Sequence, residues 1–398
     1  MKTEVKDGVL TLFPTGHVDS KNAAEFERDV MASLESAPGV RVVFDVDKLE
    51  YISSAGLRVL LKAMKRAKGT LKVINATSDV YDIFQITGFS ELADIKKRLR
   101  EISVEGCELI GQGGFGKVYR LDEETIAKIY NPNISLELVE QERDVSQKAF
   151  ILGIPTAISY DVVRCGDSYG VVFEMLDAKT TAQIIDADPS RIPEIAGESA
   201  KLLKELHAIE PGANIGLTNR KQQYLDWVDS LAKHLTTEEV DKLRAFIDAI
   251  PDRNTFLHGD YNAKNVMLRN GEFQLIDIGD AGVGHPIFDI AGLMLAYIIL
   301  PNTKSETRSI EELRSLLGFD FEYAPQVWGT MCGVYFSLSS PEEISDITKR
   351  LMPYCMLLMT YTAMRVAGNS DEAIRVRVDK LLRPRLMPAI ENVAPLDF

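Results

Sequence analysis

Residues 258 to 265 read HGDYNAKN, which sets His258, Asp260 and Asn265 in the pattern H-x-D-x-x-x-x-N. This is the spacing of a phosphoryl-transfer catalytic loop, in which the aspartate accepts or orients the proton of an attacking hydroxyl and the asparagine oxygen ligates a metal. The next residues carry the same chemistry. Val266–Leu268, then Asn270-Gly271, then Phe273–Ile276 read as a hairpin with a tight turn, which folds Asp277 back beside Asn265. Two oxygen donors side by side suit Mg²⁺ held between triphosphate oxygens.

Upstream, GQGGFGKVY (111–119) contains G-x-G-x-x-G: Gly111, Gln112, Gly113, Gly114, Phe115 and Gly116. The motif alone is weak, because dinucleotide folds use it too. There, however, the glycines open into a helix. Here Lys117–Leu121 continues as a strand, turns at Asp122–Glu124 and returns as TIAKIY (125–130). A loop between two strands can fold its backbone N–H groups over nucleotide phosphates. Lys128, flanked by Ala127, Ile129 and Tyr130, needs an anionic partner, and a phosphate pair with a helix carboxylate would supply it. Glu142 is the first choice for that carboxylate, with Glu137 and Glu140 as rivals. His258 reads as a structural residue bonding the loop backbone. Asp280 and Asp289 are similar cases, Asp289 reading as the cap of a helix beginning at Ile290. Trp227, Trp328 and YCMLLMTYTAM (354–364) read as core.

The elements that must carry these residues fall into two parts. Residues 1–100 hold 16 Lys and Arg against 14 Asp and Glu, whereas the full 398-residue chain has a net charge of −14, so the remainder is strongly acidic. That excludes a general nucleic-acid binder and would suit steering of a cationic acceptor. The longest apolar run, IAGLMLAYIIL (290–300), is far short of the roughly 20 residues that span a bilayer, and the start MKTEVKDGVL has no signal-peptide core. No membrane role and a cytoplasmic location are therefore expected. Cys107, Cys165, Cys332 and Cys355 stand far apart with no CxxC pair, which predicts reduced, buried thiols.

The first part alternates strand and helix signals: VLTLFPT after an Asp7-Gly8 turn, AAEFERDVMASL, RVVFDV, AGLRVLLKAMKRAK, LKVINA and DVYDIFQITG. This predicts an α/β domain over residues 1–98. In the helix expected over 55–68, Leu57, Leu60, Leu61 and Met64 share one face, while Arg58, Lys62, Lys65 and Arg66 lie elsewhere. Ser53 and Ser54 stand where a strand hands over to that helix. One hydroxyl can cap it, and the same free N–H groups could receive a phosphate. From Cys107 the pattern is three strands and a helix, then mostly long helices from about 190.

At these residues two families can be named. Residues 104–398, through LHGDYNAKNVML and LIDIGDAGVGHPIFDIAG, resemble the aminoglycoside phosphotransferase and choline kinase family. The resemblance implies an α+β bilobal protein-kinase-like domain with a large helical C-lobe, the N-lobe at about 104–176 and the C-lobe at about 177–398. It implies ATP and Mg²⁺, with Lys128 and Glu142 in the N-lobe and VFEML (172–176) as a hinge whose Glu174 and Met175 join the ATP-binding residues. The full glycine-rich loop departs toward protein kinases and leaves the acceptor open. Residues 1 to about 95, through FDVDKLEYISSAGLRVLL, resemble an α/β STAS domain of the anti-sigma-factor-antagonist type. That resemblance implies phosphorylation of Ser54 and a protein partner, although the acid that often precedes this serine is Ser53 here.

The expectation is an ATP- and Mg²⁺-dependent phosphotransferase acting on a hydroxyl of a small molecule, with a STAS module for regulation. Two alternatives stay open: a signalling kinase that phosphorylates a STAS serine, its own Ser54 among them, and a nucleotide-sensing scaffold without turnover.

Overall fold

The computed structural model describes residues 1–67, 71–212, 215–303, 309–366, 370–391, 393–396 and 398. The chain divides into two compact units, Met1–Ser103 and Val104–Phe398.

In the first unit a five-stranded sheet runs in the spatial order Lys2–Lys6, Val9–Phe13, Arg41–Asp45, Leu71–Ala76 and Asp94–Lys97. The first pair is an antiparallel hairpin turned by Asp7 and Gly8, whose φ values of 49° and 75° give the left-handed turn that matches strand twist. The other pairings are parallel. Alternate residues Leu10, Leu12, Val42, Phe44 and Val73 are buried, which is the period-two pattern of a sheet with a covered face. The opening strand was not expected, and all five of its residues are exposed, so no alternation marks it.

A second ladder pairs Thr15–Val18 with Lys48–Ile52, and Ser53 follows directly. The helix that follows spans Ser54–Arg66, and the last residue of the expected helix, Lys68, lies outside the described residues. Its buried face holds Leu57, Val59, Leu60 and Ala63, while Leu61 and Met64 sit at the margin. The apolar stripe is thus rotated slightly from the one expected, with Val59 and Ala63 buried in place of Leu61 and Met64.

In the second unit an antiparallel sheet runs Ser159–Cys165, Ser168–Glu174, Thr125–Tyr130, Gly116–Arg120, Glu108–Gln112. The helix Leu136–Ile151 packs on it. The rest is mainly helical, with Ile192–Leu206 against Ala324–Phe336 and Pro341–Val366 against Ile287–Met294. Trp328, Tyr354, Cys355 and Tyr361 are buried there, as expected of core residues, and Trp227 is half-buried against Tyr224 and Tyr361. Cys332 is buried too, but Cys107 and Cys165 are only half-buried, which corrects the expectation of four buried thiols. No helix among the described residues is long and apolar enough to cross a membrane.

Candidate active site

The site is built where a hairpin, a loop and the sheet converge. Val266–Arg269 pairs with Glu272–Leu275, and the turn between them has φ of 52° at Asn270 and 88° at Gly271. Positive φ at both central residues is what a two-residue hairpin turn with native twist requires. The pairing extends one step further, because the Ile276 N–H donates to the Asn265 carbonyl at 3.0 Å. Asn265 and Asp277 are therefore neighbours, as the hairpin predicted, and Asp277 takes a left-handed φ of 57°.

Asn265 is buried, and its amide nitrogen donates to the Asp260 backbone oxygen at 2.8 Å and to Asp260 Oδ2 at 2.9 Å. Asp260 Oδ1 accepts from Asn262 at 3.2 Å. Desolvation of the Asp260 carboxylate, reinforced by the like charge of Asp277, pushes its pKa up to about 6. A carboxylate so tuned is ionised at neutral pH yet more basic than an ordinary aspartate.

Lys128 reaches across from the sheet. Its Nζ lies 2.7 Å from Glu142 Oε1 and 2.6 Å from Asp277 Oδ1, so the pairing falls to Glu142 among the three candidate glutamates. Burial works against the charge of Lys128, but Asp277 and then Glu142 raise its pKa above the ordinary lysine value. Burial opposes ionisation of Asp277 as well, and there Lys128 prevails and lowers the pKa. The stem of Glu142 rests on Gly279, where a Cβ would lie 2.6 Å from the Glu142 Cδ.

In the glycine-rich loop the Gly113 N–H donates to the Gly116 carbonyl at 2.9 Å. Asn131 grips the tip, its side chain donating to Gly114 O at 2.9 Å and its N–H to Phe115 O at 2.9 Å. Phe115 is exposed. Gly111 and Gln112 end the strand before the loop, and Gly116 begins the one after it. A Cβ at Gly116 would collide with the Ile129 carbonyl, so the two strands approach too closely for any other residue. Glu174 and Met175 stand at the end of Ser168–Glu174. Their N–H groups donate to Ile158 O at 2.8 Å and Glu124 O at 2.7 Å, so a ligand would meet their carbonyls or later residues.

Asp289 is corrected. The helix begins at Ile287, and Asp289 lies in its first turn with its carboxylate on the backbone of the loop that begins at His258. Its two oxygens accept from His258 N and Gly259 N, each at 2.8 Å. His207 Nε2 lies 3.2 Å from the same carboxylate, and His207 Nδ1 lies 2.7 Å from the Tyr335 hydroxyl. Burial opposes the charge of Asp289, but the hydrogen bond and charge of His207 lower its pKa. His258 is fully buried and accepts from the Asp260 N–H at 3.3 Å, in keeping with its structural reading. The Asp280 carboxylate faces Arg365 at 3.8 Å and its carbonyl accepts from Arg220. Sequence reasoning missed His207, Arg220 and Tyr335. Their partners lie far away in the chain, and only the rarity of histidine could have drawn attention to His207.

In the first unit Ser53 is the helix cap, its Oγ accepting from Gly56 N at 3.4 Å. Ser54, the first helical residue, is exposed. The cations do not all stand free around it, since Lys62 pairs with Glu27 at 2.5 Å.

Comparison with known proteins agrees with this division. The model of the phosphotransferase enzyme family APH matches residues 107–322, and the STAS domain model matches residues 1–102. A protein of Bordetella bronchiseptica described as an anti-sigma factor antagonist, BtrV, is 38% identical over 86 residues, or 21% of this chain and 73% of that protein. Among solved structures, the streptomycin–ATP ternary complex of APH(2'')-IIa is 20% identical, covers 70% of this chain and 92% of its own, and has a TM-score of 0.43. An anti-sigma factor antagonist from Thermotoga maritima is 19% identical, covers 24% of this chain and 85% of its own, and has a TM-score of 0.23. On the family model that covers more than half of its length, the chain belongs to the phosphotransferase enzyme family, and it carries a STAS domain at its N-terminus.

Proposed function

We propose that the protein is an ATP- and Mg²⁺-dependent phosphotransferase that acts on a hydroxyl of a small molecule, with residues 1–98 as its regulatory or partner-binding module and 104–398 as its catalytic domain. The observation that carries this reading is the bridge from Lys128 to both Glu142 and Asp277, set beside the bonded pair Asp260 and Asn265.

The donor set fits a hard cation. Because the Asn265 nitrogen is committed to Asp260, its carbonyl oxygen is the atom left to face a metal, and Asp277 adds a carboxylate oxygen not bonded to Lys128. Asn265 and Asp277 would hold Mg²⁺, which supplies neutralisation of charge on the triphosphate oxygens. Lys128, fixed by Glu142, would bind the α- and β-phosphates, the Gly111–Gly116 loop would cover them, and Glu174 and Met175 would border the base. Asp260 takes the proton of the acceptor hydroxyl, and Asn262 and Asn265 hold its carboxylate in place while it does so. Such chemistry needs a compartment that supplies ATP, and the cytoplasm is the proposed one.

A second reading is a signalling kinase whose acceptor is a STAS serine. The exposure of Ser54, next to a cap already provided by Ser53, favours it: a phosphate could be added without removing the cap. One experiment separates the two. ATP consumption is measured with a panel of amino-sugar, choline-like and hydroxylated metabolites, beside intact mass of the protein after Mg-ATP. Phosphorylated metabolite with unchanged protein mass is the expected result. A gain of one phosphate by the protein, with no metabolite accepted, overturns the first reading in favour of the second. Nucleotide binding with neither product leaves a sensing scaffold.

A further inference from the structure

Arg220 is the first residue of the helix Arg220–Leu231 and is only 8% exposed. A buried guanidinium ordinarily faces a carboxylate, because desolvating an unpaired charge is costly. Here one arm donates to the Asp280 backbone carbonyl and Nη1 donates to Gln223 Oε1 at 2.6 Å. The fork is therefore used on a main-chain carbonyl and an amide.

The space it occupies is made by three glycines. At Gly259, which has φ of 86°, a Cβ would lie 2.8 Å from Arg220 Nη2 and would collide with the Asp280 carbonyl. At Gly282 it would lie 3.7 Å from Nη2 and 2.6 Å from the Thr218 carbonyl, and at Gly284 it would lie 3.3 Å from the Arg220 Cβ. The three residues come from two segments that matter to the site. Gly259 immediately precedes Asp260, and Gly282 and Gly284 follow the Asp277 turn on a strand that pairs with both Thr255–Leu257 and Thr218–Asn219. The helix N-terminus is independently secured, because Asn219 Oδ1 accepts from Gln222 N at 3.0 Å. Arg220 is thus not needed as its cap.

We infer that Arg220 is a positioning residue that clamps the backbone after Asp277 against the backbone before Asp260, and so fixes the spacing between the proton acceptor and the metal-side carboxylate. Its guanidinium also sets a positive charge beside the turn that carries Asp277 and Asp280. The inference rests on the proposed roles of Asp260 and Asp277. It also accords with the middle residue of His258-Gly259-Asp260 bearing no side chain: at its φ of 86° a Cβ would collide with the Asp280 carbonyl that Arg220 holds, and would lie 2.8 Å from the guanidinium.

The test compares full-length wild type with Arg220→Gln, Arg220→Lys and Gln223→Ala, and with Arg365→Gln as control, since Arg365 faces the Asp280 carboxylate and the Tyr361 ring and donates no hydrogen bond to the Asp280 carbonyl among the described residues. A non-hydrolysable ATP analogue is titrated by calorimetry with and without Mg²⁺, and amide hydrogen exchange is followed over 258–265 and 277–284. In Arg220→Gln the Mg²⁺-dependent affinity should fall about ten-fold or more, with Mg²⁺-free affinity held within about two-fold, as for loss of a group that orients a metal ligand. Exchange should quicken in both segments. Arg220→Lys, which keeps the charge and one donor, should recover part of the loss, and Gln223→Ala should fall between wild type and Arg220→Gln. If Arg220→Gln does not fold, the latter two decide. Wild-type affinity and exchange in the Arg220 and Gln223 variants would overturn the inference, and so would an equal effect from Arg365→Gln, which would make charge alone the cause. Absence of Mg²⁺-dependent binding in wild type would instead sink the proposed function, while the exchange comparison still decides the clamp.

Discussion

The turn at Ser53–Ser54 and the loop at His258–Asn265 each follow a short strand, yet they are built in opposite ways. The loop His258–Asn265 is held from several directions at once, with Asp289 on its backbone and Asn262 and Asn265 on the Asp260 carboxylate. At the other turn one hydroxyl caps the helix, and its neighbour Ser54 is left exposed. The difference separates two demands. A group that must take a proton in one geometry has to be over-determined, because small misplacements are costly in rate. A group that is to be modified must be reachable, and its substitution should then disturb little.

The largest effect that tests this contrast is Asp260→Ala, which should lower phosphoryl transfer by about 10²–10⁴-fold while ATP binding persists. Turnover assays beside nucleotide titration check it, and near-normal turnover would remove Asp260 from the chemistry. Asp277→Ala should weaken Mg-ATP binding and rate together, read from the Mg²⁺ dependence of both. An unchanged dependence would detach Asp277 from the metal.

A pH profile gives a smaller and graded effect. With the Asp260 pKa near 6, the proton-accepting form is lost as pH falls, so turnover should drop about ten-fold per unit below pH 6. Stability moves the other way. A carboxyl whose folded-state pKa is raised supports the fold fully below its ordinary range, and that support disappears as pH rises through about 6. Asp260→Asn should therefore raise Tm at pH 8 and leave it nearly unchanged at pH 4, as thermal melts at the two pH values would reveal. A gain of equal size at both would mean that the charge of Asp260 is not the source of strain.

The smallest effects belong to the other turn. Ser53→Ala should cost the STAS unit about 1 kcal/mol through loss of the cap, and Ser54→Ala no more than a few tenths. Urea titration of the full chain, followed by probes in residues 1–98, resolves them. The reverse order would make Ser54 the structural residue and weaken its candidacy for modification.

What could be read in advance follows from how far apart the partners lie. The Asn265–Asp277 pairing was legible because a turn signature and two flanking apolar runs fix a hairpin locally. The Lys128–Glu142 pair was legible as a need for a carboxylate on the next helix, with only the choice among three glutamates left to geometry. Asp289 was misread because its bonds run to backbone 30 and 31 residues away. The Asp289–His207 contact spans 82 residues and the Arg220–Asp280 contact 60. No periodicity reports pairings of that kind, because they arise only when separate elements pack. The opening strand Lys2–Lys6 escaped for a different reason: fully exposed, it has no buried side to leave a pattern.

The hairpin tip at Asn270–Gly271 offers an experimental handle. It is exposed, and four ladder pairs, about 14 Å of strand, separate it from Asn265 and Asp277. A nitroxide at this distance would be relaxed by Mn²⁺ bound at the proposed Asn265–Asp277 site, turning its occupancy into a spectroscopic signal without a reporter at the site itself. The left-handed backbone at Asn270 and Gly271 directs the label to exposed Glu272 instead, and half-buried Cys107 and Cys165 would be replaced first so that only the new thiol is tagged.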